Sequence, residues 1–85
     1  MNKVEEFARN VKSKKDFLQF IHLLVEDLKT NSKSWENDQL GDYLEAVESW
    51  TEDMDVYYLN TGQPMPTEIN WKVFTDILMA AKTYE

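Results

Sequence analysis

LGDYLEAVESWTEDMDVYY, residues 40–58, sorts its side chains cleanly at the helical period. Placed at 100° per residue, Leu40, Tyr43, Leu44, Val47, Trp50, Thr51, Met54 and Tyr58 fill one arc. Asp42, Glu45, Glu48, Glu52 and Asp53 fill the opposite arc, with Asp38 just upstream. Such a segment is an amphipathic helix, with the apolar arc turned to a core and the acids turned to water. Asn37 or Asp38 is the expected cap, and acids in the first turn suit the positive end of the helix dipole. Gly41 inside the pattern costs about 1 kcal/mol relative to alanine. Two ends are compatible with the sequence. Gly62 is a natural C-terminal cap that takes the helix to about Asn60. A stop near Asp55 leaves Val56-Tyr57-Tyr58-Leu59 as an extended segment of β-favouring residues.

Downstream, Thr61-Gly62-Gln63-Pro64-Met65-Pro66-Thr67 is a loop, because two prolines one residue apart fit neither a helix interior nor a central strand. A last helix starts at Thr67 or Asn70 and carries Trp71, Phe74, Ile77, Leu78, Ala81 and Tyr84, with Val73 and Ala80 also apolar. That apolar half-circumference predicts burial against more than one neighbour, with Lys72, Thr75, Asp76, Lys82 and Thr83 exposed. Upstream, Ser13-Lys14-Lys15-Asp16 resembles a capping box with Asp in the usual Glu position. It opens a helix whose stripe is Phe17, Phe20, Ile21, Leu24 and Leu28, widened by Leu18 and Val25, with Leu23 among the polar positions. Thr30 to Ser34 ends that helix in a loop. Val4, Phe7, Ala8 and Val11 outline a short helix from Lys3 to about Val11. The expected fold is all-α: a compact bundle of three main helices plus a short N-terminal helix, in one domain spanning residues 1–85. A compact chain of this length has a radius of gyration near 12 Å.

The 85 residues contain no cysteine, one histidine and two glycines, and 42% of them are hydrophobic. That apolar content, with three Trp, four Tyr and four Phe, supports a core and excludes wholesale disorder. No apolar run approaches the length of a membrane span, and the first residues lack the apolar stretch of a secretory signal. A cytoplasmic location is the expectation. The net charge is −7, and it is unevenly placed. Ser34 to Trp71 holds nine acids and no Lys or Arg, whereas the remainder holds seven acids and all nine bases. A negative field disfavours nucleic acid and anionic bilayers, and it favours a basic protein partner.

Templates for catalysis fail on residue type and spacing. Gly41 and Gly62 are isolated and build no phosphate-cradling loop. One histidine cannot supply the paired histidines of a helical zinc site. A calcium loop from Asp53 meets Tyr58 where glycine is needed and Pro64 where an acid is needed. His22 lies on the polar arc of its helix, where Glu26 is the nearest orienting carboxylate for a general base. Arg9, Lys12, Lys14 and Lys15 form a basic cluster without interleaved aromatics, so nucleic-acid binding is not expected. No cofactor and no metal site is expected, because the acids face away from the apolar arc and no histidine accompanies them.

The second half of the chain resembles small acidic bacterial proteins grouped as a domain of unknown function. The resemblance rests on Ser34-Trp35-Glu36-Asn37, Leu40, Tyr43-Leu44-Glu45-Ala46, Trp50, Glu52-Asp53-Met54-Asp55, Tyr57-Tyr58, Asn60 and Gly62. It closes on Trp71, Phe74, Leu78, Ala80-Ala81 and Tyr84-Glu85. It implies a mostly helical, stand-alone bacterial cytoplasmic protein and no known activity, cofactor or catalytic residue. Val56 stands where such proteins place a glycine, which favours a continuing helix over a tight turn.

The functional expectation is a non-enzymatic protein-interaction module, such as an adaptor, a regulator or a toxin-neutralising binder. Its candidate residues are Glu45, Glu48, Glu52, Asp53 and Asp55 on the acidic helix, and Trp35 in the loop before it. Trp35 either closes the core between helices or stands exposed as a recognition anchor. Alternatives from other classes are a carboxylate-based hydrolase or enzyme accessory subunit, and a nucleic-acid mimic whose spaced carboxylates imitate phosphates. Trp50 and Trp71 are expected in the core.

Overall fold

The computed structural model describes residues 3–84. Four helices follow one another: α1 (Lys3–Ala8), α2 (Lys14–Thr30), α3 (Leu40–Asn60) and α4 (Trp71–Ala81), with a 3-10 turn at Ser32–Ser34. No strand occurs among the described residues, so the all-α reading holds. The radius of gyration is 12.5 Å.

Local chemistry sets most of the boundaries. Ser13 caps α2 by accepting from the Asp16 N–H at 3.1 Å. The Asp16 carboxylate returns the bond to the Lys12 N–H at 3.0 Å, one residue before the usual partner. Asn70 caps α4 through the Val73 N–H at 2.8 Å. α3 runs on through Val56–Leu59 to Asn60, and Gly62 ends it at φ +70. There the Gln63 N–H donates to Tyr58 O and the Gly62 N–H to Leu59 O, which is the Schellman closure. Three boundaries depart from expectation. α4 ends at Ala81, before Tyr84. α1 stops at Ala8, and Val11 is buried from the loop rather than from a helix. The N-cap of α3 is Gln39, not Asn37 or Asp38, and it makes no side-chain cap bond, while Asn37 bonds to the end of α4.

α4 is the central element: α1, α2 and α3 all pack on it, while α2 and α3 make no close backbone approach to each other among the described residues. Two apolar clusters form accordingly. Val4, Ala8, Val11, Phe20, Leu24 and Trp35 gather on one side, and Trp50, Tyr58, Val73 and Ile77 gather on the other. Leu23, the residue out of pattern in α2, is half-buried against the first cluster, which α1 extends around that side of α2. Conversely, Leu18 and Val25 do not widen the buried stripe and remain exposed. In α3 the buried strip runs through Ala46, Trp50 and Tyr58, leaving Leu40 and Leu44 exposed. Trp71 is not a core residue either; at 39% exposed it rests its ring against Phe17, 5.3 Å between centroids. Thr75 and Lys82, expected in water, are buried. No helix among the described residues is long and apolar enough to cross a membrane.

Candidate functional site

Helix α3 presents its acids because its opposite side is anchored. Trp50 packs edge-on against Tyr58, whose hydroxyl donates to Asp76 Oδ2 of α4 at 2.6 Å. Tyr43 donates to the Leu78 carbonyl at 2.7 Å near the other end of the helix. These two bonds set the rotation of α3 about its axis. Glu45, Glu48, Glu52 and Asp55 then fall on the solvent side, all exposed. Among the described residues none of the four makes an ion pair or a side-chain hydrogen bond, so their charge is uncompensated at short range.

Asp53 departs from that group. It accepts a hydrogen bond from the Tyr84 hydroxyl and so ties α3 to the segment after α4. That bond to the carboxylate raises the Tyr84 pKa, with burial and the Asp53 charge adding to it. Trp35 departs further. It is 8% exposed, and the recognition-anchor alternative gives way to the core alternative. Its Nε1 donates to Asp27 Oδ2 at 2.8 Å, and the Lys82 ammonium lies 2.8 Å from the same oxygen. Lys82 also sits 5.5 Å from the centre of the Trp35 ring, within cation–π range.

Two features of the site were missed by sequence reasoning. Asn37 closes the C-terminus of α4: its Nδ2 donates to Ala81 O at 2.9 Å and Tyr84 O at 2.8 Å, and its backbone N–H to Lys82 O. Nothing local marks a residue that serves a helix more than forty positions away. The second feature is a groove of about 390 Å³ between α2 and α3. Ile21, Val25 and Leu28 line it from α2, Leu40 and Tyr43 from α3, and Leu78 and Trp35 join them. Among the described residues its only charged lining residue is Asp38. The signal available in the sequence was the excess of apolar positions on α2 and α3, read there as wider core stripes. A second depression of about 300 Å³ mixes charges from Glu5, Arg9, Lys72 and Asp76 and lies away from Leu40 and Val25.

Among the described residues no three acids or histidines are arranged to hold a metal ion. His22 is exposed on α2. The chain matches the family of unknown function DUF7660 over residues 13–85. No curated protein matches it. No solved structure matches it.

Proposed function

The chain belongs to DUF7660, a family of unknown function, and we propose that it is a non-enzymatic protein-interaction module whose acidic α3 face receives a basic protein partner. One observation carries the reading: Glu45, Glu48, Glu52 and Asp55 stand exposed and unpaired on one side of a helix whose other side is anchored in the core. Like charges at helical spacing cost a few tenths of a kcal/mol per pair, so the arrangement adds nothing to folding. A cationic partner relieves that repulsion and is steered toward it over roughly a Debye length, about 8 Å at physiological salt. On the same reading the chain works in the cytoplasm of a bacterium as an adaptor, regulator or toxin-neutralising binder.

The test is the double variant Glu48→Gln/Glu52→Gln. Partners captured from a lysate by the natural chain are measured for association rate against both proteins at low and high salt. A slower on-rate for the variant at low salt, converging at high salt, supports the proposal. Equal rates at both salts remove it. A captured nucleic-acid-binding protein displaced by DNA would instead favour phosphate mimicry, and metal-dependent turnover would favour a carboxylate hydrolase.

A further inference from the structure

We propose that the apolar groove between α2 and α3 docks one amphipathic helix of a basic partner, with its apolar side chains in the groove and its cations over α3. The basic character of the occupant rests on the function proposed above; the groove itself rests on separate observations.

The first is architectural. α2 and α3 both pack on α4 and stay apart from each other, and the groove lies in the gap between them. Packed helices lie about 8–10 Å apart, so a helix laid in that gap finds neighbours on both sides and Leu78 of α4 within the same lining. The second is exposed apolar surface on the two helices, of which Val25 and Leu40 line the groove. Leu18 and Val25 on α2 are 59% and 44% exposed, and Leu40 and Leu44 on α3 are 73% and 56% exposed. Leu40 and Leu44 are one turn apart and Leu18 and Val25 two turns apart, so each helix offers a row rather than isolated residues. Rows of large aliphatics left in water mark an interaction surface more often than a scattered excess. The third is rigidity. Tyr43 ties the α3 wall to Leu78 O, and Asn37 ties the loop at one end of the groove to the end of α4. A groove already held in shape loses little conformational freedom when it is filled.

Charge chooses among occupants. Asp38 is the only charged residue lining the groove among the described residues, and the α3 wall belongs to the segment Ser34–Trp71 with nine acids and no base. A second copy of this chain carries the same net −7 into the contact. A helix with anchors at i, i+3, i+4 and i+7 and Lys or Arg along one flank meets both the apolar groove and the acids that surround it in sequence.

The probe is a synthetic peptide of about four turns with Leu at i, i+3, i+4 and i+7 and Lys on its flanks, paired with a counterpart carrying Glu in place of Lys. Binding is followed by calorimetry, by tryptophan fluorescence and by amide chemical-shift mapping on the full chain. The expected result is binding of the Lys peptide, shifts centred on Val25, Leu28, Leu40 and Leu78, and an affinity loss of about tenfold or more for the Glu peptide. Val25→Lys and Leu40→Lys change exposed positions, so both variants should keep the natural helical spectrum while losing binding by a similar factor. Binding that maps to Glu45, Glu48 and Glu52 and survives Leu40→Lys overturns the groove proposal and leaves the acidic-face reading standing. Equal binding of both peptides in the groove overturns the basic occupant and the function proposed above together, while leaving an apolar cleft. Absence of binding by the Lys peptide overturns the docking site. A concentration-dependent dimer in sedimentation that Leu40→Lys converts to monomer overturns it too, by making the groove a contact between copies.

Discussion

Lys82 and Asp27 keep 5% and 10% of their side-chain surface in water, and the Trp35 Nε1–H reaches the same carboxylate oxygen as the ammonium. A buried pair of this kind gains little over an apolar replacement of both partners, but removing one partner leaves the other's buried charge without its counter-ion. Lys82→Met should therefore cost about 3 kcal/mol in urea unfolding, and a loss below about 1 kcal/mol would mean that the pair is hydrated. The tryptophans separate by environment in the same way. Trp50 is 6% exposed and Trp71 is 39% exposed. Trp50→Ala should cost about 3–5 kcal/mol, whereas Trp71→Ala should cost about 1–2 kcal/mol through its contacts with Phe17. Equal losses would contradict the placement of α4. Two tyrosines set the alkaline limit. Burial pushes the Tyr43 hydroxyl up to about 12. Burial, then the hydrogen bond and charge of Asp76, and then Tyr57 raise Tyr58 as well. The folded chain holds these protons more tightly than the unfolded chain, so their stabilisation is complete below the ordinary tyrosine value of about 10 and is lost as pH rises through the folded values. A thermal midpoint that falls above about pH 10, and falls less steeply in Tyr43→Phe, is the expected profile.

At the scale of the element, two glycines have opposite roles, Gly41 inside α3 and Gly62 just past its end. Gly62 sits at φ +70, where a side chain is strained even though open space surrounds it. Gly41 lies within the first turn of α3 with nothing near the position a Cβ would take. Gly62→Ala should lower stability by about 1 kcal/mol and fray the last turn, since the left-handed conformation costs an L-residue that much. Gly41→Ala should raise stability by about 0.5 kcal/mol, because alanine loses less backbone entropy in a helix. Thermal midpoints and ellipticity at 222 nm read both, and a destabilised Gly41→Ala would mean that α3 begins later than Leu40. The choice between ending α3 at Asp55 and at Asn60 also belongs here. Tyr58 is 3% exposed and bonded to Asp76, and only a helical register carries it onto the same side as Trp50. β-favouring residues at Val56–Leu59 yield to that anchor.

For the whole molecule the uneven charge is the dominant feature, with nine acids and no base between Ser34 and Trp71 and a net −7 overall. Glu45, Glu48, Glu52 and Asp55 repel one another along an exposed face, and added salt screens that repulsion. The thermal midpoint should therefore rise modestly from low to moderate salt. Glu48→Gln/Glu52→Gln should start at an equal or slightly higher midpoint and gain less from salt. A midpoint that falls with salt, or a variant less stable than the natural chain, would mean that these acids make attractive contacts within the fold.

Helical period and end signals are local, and they were enough for the presence of the four helices, the Ser13 cap and the acidic side of α3, while they left open Thr67 or Asn70 as the α4 cap and Asp55 or Asn60 as the α3 end. Each signal depends on residues within about one turn of chain. Which flank of each apolar arc is buried depends instead on where the neighbouring helices lie. α4 occupies the centre, so Ala46 and Trp50 turn inward while Leu40 and Leu44 stay out. The same packing buries Thr75 and Lys82 on a face whose pattern reads as polar, and it encloses Trp35 behind Asp27 and Lys82. Asn37 closes a helix that the chain reaches only after α3 and a loop. The groove arises because α2 and α3 share α4 without meeting, a relation between three elements that no periodicity within one of them encodes.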